Sequence, residues 1–255
     1  MYYKNFKDLK LSALGMGNMR LPLVNNEQNH IDYQKAQEII DYAMSHGITY
    51  YDTAYVYNGG DSERFLGVAL KKYPRDSYYL ASKFHYQANP DYRSVFAEQL
   101  ERLQTDHIDF YLMHALGINN ADDYIESGAV DYFLEMQKQG KIRYLGFSSH
   151  APLDILEKFA DHHEWDFAQL QINYYDWNYD NTQEQYRILE ERGIPIVVME
   201  PCRGGRLARL NESAEQLLHE AHPDWSVAGW AFRFVRSLPQ VQVVDRKSTR
   251  LNSSH

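Results

Sequence analysis

The chain has 255 residues, 44% of them hydrophobic and 24% charged, an ordinary composition for a soluble globular protein and a length suited to one large domain. Its 26 basic and 35 acidic side chains give a net charge of −9, which argues against a nucleic-acid or anionic-membrane partner, both of which call for a basic surface. Cys202 is the single cysteine, so an internal disulfide and a cysteine metal cluster are excluded; MYYKNFKDLK lacks a signal core, no run reaches the roughly 18 apolar residues of a membrane span, and the expected location is a reducing cytoplasm.

In chain order, LSALGMG (11–17) reads as the first strand, and the NMRLP that follows does not complete a G-x-G-x-x-G dinucleotide fingerprint. Tyr33, Ala36, Ile39, Ile40, Ala43 and Met44 fall on one face at helical spacing, and Gly47 sits where a left-handed cap should end that helix. ITYYDTA (48–54) is the second strand. Gly59 and Gly60 then read as a loop closed by Asp61 as the N-cap of a helix carrying Phe65, Leu66, Ala69, Leu70 and Tyr73. The remaining strands are YYLASKF (78–84), IDFYLMHA (108–115), IRYLGFS (142–148), FAQLQINYY (167–175), IPIVVMEP (194–201) and VQVV (241–244), with helical patterns such as Val95, Phe96, Leu100 and Leu103 between them. Eight strands alternating with helices predict a single-domain α/β fold, a parallel (β/α)8 TIM barrel spanning residues 1–244.

Such barrels place their chemistry at the carboxyl ends of the strands. Strand two delivers Asp52 there, strand three Lys83 and strand four His114, with Tyr57 on the loop after Asp52. A carboxylate at that depth needs a cationic partner, and Lys83 on the adjacent strand can supply it. An ammonium beside the Tyr57 phenol is expected to lower its pKa from about 10, making Tyr57 a proton donor, with His114 orienting a substrate oxygen.

Long stretches in the right order, among them LGMGNMRLP, YYDTAYVYNGGDSERFLGVALK, ASKF, IDFYLMHAL, GKIRYLGFSSH, QLQINYYDW and GIPIVVMEPCRGGRLA, resemble the aldo-keto reductases over residues 2–244. The resemblance implies a catalytic tetrad of Asp52, Tyr57, Lys83 and His114 reducing a small-molecule carbonyl substrate, with NADPH (NADP) as cofactor in the barrel mouth. It implies cofactor contacts at Gly17, Asn18, Met19, Ser148, Ser149, Gln171, Met199, Pro201, Arg203, Gly204 and Gly205. Many members carry Ser-Asn where this chain has Ser148-Ser149, and often a stacking tyrosine where it has Met199. VMEPCRGGRLA is most similar to a subgroup with a C-terminal iron–sulfur extension, of which this chain holds no cluster ligands.

Tyr86, Tyr175 and Trp177 point to an aromatic-lined substrate pocket. HEAH (219–222) lacks the spacing of a zinc helix, and no metal site is expected. DRKSTRLNSSH (245–255) is polar and aperiodic, reads as a non-native or disordered tail, and leaves the barrel expected to stop before its final helix. Two other functions stay open: a lyase using Lys83 as Schiff-base nucleophile, and a non-catalytic redox-sensing subunit that retains cofactor.

Overall fold

Runs rich in Val, Ile, Tyr and Phe that are apolar on both faces can satisfy their backbone only in a sheet covered on both sides, which is how this chain uses them. The structure is a computed structural model and describes residues 1–246. Its strands are β1 (Tyr3–Phe6), β2 (Leu9–Ser12), β3 (Leu14–Gly17), β4 (Tyr50–Asp52), β5 (Tyr79–Phe84), β6 (Ile108–Leu116), β7 (Ile142–Ser149), β8 (Phe167–Gln171), β9 (Ile196–Met199) and β10 (Val241–Arg246). Strands β3 to β10 pair in parallel and close on themselves, giving the expected eight-stranded barrel. The connecting helices are α1 (Tyr33–Ser45), α2 (Asp61–Ala69), α3 (Tyr92–Leu103), α4 (Ala121–Glu126), α5 (Ala129–Lys138), α6 (Leu153–His162), α7 (Asp176–Tyr179), α8 (Thr182–Glu191), α9 (Glu212–Ala221) and α10 (Val227–Ser237).

The structure differs from the sequence expectation at four places. LSALGMG is not one strand: the Ser12 hydroxyl turns back to Leu14 O (2.7 Å) while the Ser12 amide donates to Thr49 Oγ1 (2.9 Å), and this corner separates β2 from β3. β2 instead pairs antiparallel with β1, and the hairpin floors the barrel at its amino end. There Phe6, Leu9 and Leu11 bury against Tyr50, Phe110, Tyr144 and Phe167, with Phe6 edge-on to Tyr144 at 5.0 Å. Each such side chain removed from water contributes roughly 1.5–3 kcal/mol. β8 ends at Gln171 rather than 175, because Asn173 Oδ1 accepts the amides of Tyr175 and Asp176 and bends the chain into α7.

Asp61 is not the N-cap of α2. That position belongs to Gly60 (φ +88°), and Asp61 instead accepts the Ile31 amide (2.9 Å) and the Tyr33 hydroxyl (2.8 Å), tying down the loop before α1. Finally, β10 runs two residues beyond Val244: Asp245 and Arg246 pair with Gly15 and Met16, so they belong to the barrel rather than to a tail. Residues 247–255 lie outside the described residues.

Helices α2 and α3 approach closely at Gly67, where an added Cβ would stand 2.2 Å from the Arg102 carbonyl oxygen. Among the described residues no helix is long and apolar enough to cross a membrane.

Candidate active site

At the carboxyl end of β4 the backbone carries Asp52 into the barrel, where its side chain is fully buried. Register sets its neighbours: Asp52 lies beside Gly17 of β3 on one side and Ala81 of β5 on the other, two residues short of Lys83. Lys83 is also fully buried, and its Nζ donates to Asp52 Oδ1 (2.5 Å) and Thr53 O (2.6 Å). The amide of Gln169, on β8 across the barrel, donates to Asp52 Oδ2 (3.2 Å). This buried pair thus has hydrogen bonds beyond its own, the condition under which an ion pair in a protein interior is sustained.

Tyr57 covers the pair. Lys83 Nζ lies 5.0 Å from the Tyr57 ring centre, and the His114 ring stands edge-on to Tyr57 with centres 5.7 Å apart. The structure therefore brings Asp52, Tyr57, Lys83 and His114 into one cluster. The expected lowering of the Tyr57 pKa is not met: burial first, and the Asp52 charge second, push its phenol well above the ordinary value. The main physical reason is the buried setting of the phenol, and Asp52, neutralising Lys83 at contact distance, removes the compensation that a lone cation would give. A phenol held protonated is the form that can donate.

His114 rests on a bulge. Register slips between Met113 and Leu116, and Ala115 takes φ +53°, a conformation that a residue with a Cβ adopts at some cost. Three bonds pin it: the Ala115 amide donates to Ser148 Oγ (2.8 Å), Asn120 donates to Ala115 O (3.0 Å), and the Tyr124 hydroxyl donates to His114 O (2.7 Å). Behind Lys83, buried Glu63 accepts from Ser82 (2.6 Å), Gln99 (2.7 Å) and Arg102 (3.1 Å), while Gln99 also donates to Lys83 O (3.1 Å). Burial, against these three bonds, raises the Glu63 pKa. None of Gln169, Tyr124, Glu63 and Gln99 was singled out in the sequence. For Glu63 a signal existed: it shares a helix face with Leu66 and Leu70, at i+3 and i+7.

The residues named for a cofactor fall in three adjoining groups at the same barrel end. Gly17, Asn18 and Met19 follow β3; Asn18 is buried, donates to Met16 O and Asp52 O (both 2.9 Å), and leaves its Oδ1 without a hydrogen bond among the described residues. Ser148 and Ser149 end β7 and Gln171 ends β8, beside Met199 of β9. The two serine hydroxyls accept from the Ala115 and Ala151 amides, and the Gln171 amide donates to Asp176 (2.9 Å). Pro201, Arg203, Gly204 and Gly205 form the loop after β9, where both glycines have positive φ (+65° and +97°). Arg203 turns to buried Asp176 (3.1 Å) and the Tyr175 ring, while Arg20 approaches Glu200 (3.9 Å) across the mouth.

Among the described residues, Tyr86, Tyr175 and Trp177 do not line the cavity beside Tyr57. Tyr86 packs on Phe84 and Tyr124, Tyr175 stacks on Tyr179, and Trp177 packs on Tyr186 and Phe234. The cavity beside Tyr57, about 460 Å³, is lined instead by Met19, Leu23, Asn29, Asn58, His85 and His114 among others.

Residues 13–247 match the sequence profile of the Aldo/keto reductase family. A soybean protein described as a probable aldo-keto reductase is 31% identical over 207 residues, 77% of this chain and 57% of its own length. The NADH-specific methylglyoxal reductase of Escherichia coli is 27% identical over 223 residues, 78% of this chain and 66% of that one. The chain thus spans between half and two thirds of these two relatives. An aldo-keto reductase of Bacillus halodurans, solved in its holo form, superposes with a TM-score of 0.78 at 29% identity, over 97% of this chain and 87% of that one.

Proposed function

Since the chain belongs to the aldo/keto reductase family, we propose that its barrel mouth reduces a carbonyl compound with a nicotinamide dinucleotide, the phosphorylated form NADPH being the one we assign. One observation carries the reading: Lys83, buried and paired with Asp52, places its Nζ 5.0 Å from the Tyr57 ring centre, with the His114 ring edge-on beside it. A carbonyl oxygen seated against Tyr57 and His114 receives a proton from the phenol as negative charge develops on it, and the ammonium of Lys83 stabilises the phenolate left behind. Asp52 and Gln169 fix Lys83, and the pinned bulge at Ala115 fixes His114.

The side chains at the mouth suit a carboxamide and a dinucleotide backbone. The Ser148 and Ser149 hydroxyls each accept a backbone amide and keep a proton to donate, and Gln171, donating through its amide, keeps a carbonyl to accept. Asn18 Oδ1 is a buried acceptor with a vacant lone pair, and a Cβ at Gly205 would meet nothing within 4 Å, so the loop backbone there is open. Gly17, Met19, Met199, Pro201, Arg203 and Gly204 complete this set. When bound, the nicotinamide supplies the hydride; the protein supplies binding, orientation and the proton.

NADPH oxidation followed at its absorbance, with a panel of aldehydes, ketones and quinones and with NADH in parallel, tests this. Repeated turnover of a carbonyl supports it, whereas tight dinucleotide binding with no turnover by any substrate leaves only a sensing subunit. The lyase reading has no support in the geometry: Lys83 is buried and donates to both Asp52 and Thr53 O. A borohydride-trapped adduct at Lys83 would reverse that judgement.

A further inference from the structure

Gln171 and Arg203 reach the barrel mouth from different strands, and one carboxylate holds both. Asp176 opens α7 and is almost wholly buried, with 1% of its surface exposed. Its Oδ2 accepts from the side-chain amides of Gln171 (2.9 Å) and Asn173 (2.6 Å), and its Oδ1 faces Arg203 Nε at 3.1 Å. Asn173 is held in that pose from its other end, because its Oδ1 accepts the backbone amides of Tyr175 and Asp176. Arg203 supplies the cation without which a carboxylate at this depth would be costly, and the Tyr175 ring lies 4.5 Å from its guanidinium.

An ionised carboxylate only accepts hydrogen bonds, and that decides which way a glutamine beside it must point. Gln171 has to turn its NH2 toward Asp176 and its carbonyl away, and among the described residues that carbonyl accepts no hydrogen bond. The same side chain lines a cavity with Ser149 and sits opposite Met199 in the barrel register. Arg203, on the other arm, has a φ of +46°, a left-handed backbone that a residue with a Cβ rarely takes and that persists where contacts such as those of Asp176 and Tyr175 hold it.

We propose that Asp176 is a positioning residue for the dinucleotide, presenting the Gln171 carbonyl to the NH2 of the nicotinamide carboxamide. This rests on the reductase reading, which uses Gln171 and Arg203 as cofactor contacts and gives Asp176 no part. An asparagine in its place carries both a donor and an acceptor, so either orientation of Gln171 would find a partner and the carboxamide would no longer be told apart from a group lacking the NH2.

The test measures affinity, by quenching of tryptophan fluorescence, for NADP+ and for its 3-acetylpyridine analogue, in which a methyl replaces the carboxamide NH2. Wild type should bind NADP+ about three- to tenfold more tightly, the effect of one hydrogen bond. That preference should vanish in Asp176→Asn as it does in Gln171→Ala, and the double variant should lose no more than either single one, since Asp176 acts through Gln171. A purely structural carboxylate would weaken both ligands alike and leave their ratio unchanged. A second measurement needs no Asp176 variant: in wild type without cofactor, the Gln171 side-chain NH2 resonances, assigned by their loss in Gln171→Ala, should be shifted downfield and slow to exchange with water. A preference that persists in folded Asp176→Asn, no preference in wild type, or Gln171 resonances like those of a solvated amide overturns the proposal while leaving the reductase reading intact. Failure of wild type to bind either dinucleotide overturns both.

Discussion

Replacing Lys83 by Met removes the cation that contacts Asp52 at 2.5 Å and leaves a carboxylate with no solvent exposure whose one remaining hydrogen bond among the described residues is from the Gln169 amide at 3.2 Å. Breaking a buried pair from one side typically costs about 3–5 kcal/mol, because the remaining charge is uncompensated. Against a net domain stability of about 5–15 kcal/mol that is a large fraction, and at roughly 2–4 °C per kcal/mol it lowers the melting temperature by about 6–20 °C. The double substitution Asp52→Leu, Lys83→Met replaces both charges by apolar groups of similar size and should recover most of the loss. Urea unfolding of wild type, the two single variants and the double variant measures the cycle, with equal slopes required before midpoints are compared. If Lys83→Met lost less than about 1 kcal/mol, or if the double variant were no more stable than the worse single one, the pair would not be the dry, mutually dependent unit described.

Tyr57→Phe keeps the ring over Lys83 and deletes the donor, so kcat should fall about 10²–10⁴-fold while dinucleotide affinity by fluorescence titration changes little; full activity would remove Tyr57 from its role. Gly67→Ala drives a methyl into the Arg102 carbonyl and should cost about 1–3 kcal/mol or more in denaturant unfolding, by pushing α2 off α3. Burial holds the His85 imidazole below its ordinary 6.5, so below that pH the unfolded chain binds the extra proton more readily. The stability that neutral His85 contributes is complete above pH 6.5 and drains as pH falls through its lowered folded value. Melting curves from pH 7.5 to 5 should therefore fall more steeply for wild type than for His85→Gln, and parallel curves would contradict the assignment.

The barrel was legible because its strands are short apolar runs and Gly47 caps the helix before one of them, with φ of +80°. The hairpin was not, since the break at Ser12 is made by a hydrogen bond to Thr49, 37 residues away, and no local pattern signals it. Asp52, Lys83 and His114 could be found because strand ends are where barrels keep chemistry, but Tyr57 is one of 21 tyrosines and only the family resemblance separated it. Its raised pKa comes from burial first and from the Asp52 charge that cancels Lys83, and neither is visible in the spacing of residues along the chain. Tyr86 packs on Phe84 and Trp177 on Tyr186 and Phe234, a choice that tertiary neighbours make and composition cannot reveal.

The floor of the barrel also has a consequence in time. Lys4 of the hairpin donates to Val241 O (2.5 Å), across 237 residues of chain, the Ala13 amide meets Tyr2 O (2.9 Å), and Arg236 stacks on the Tyr2 ring at 4.8 Å. The hairpin thus fastens the barrel where its first and last strands meet, yet its partners are the last of these elements to leave the ribosome. Contacts of such sequence separation form slowly. Until β10 arrives, the edge of β3 is an open template for pairing with another chain, and the hairpin's Phe6, Leu9 and Leu11 have only part of their burial site. The interval before closure, rather than the finished barrel, is where this fold is most exposed to aggregation.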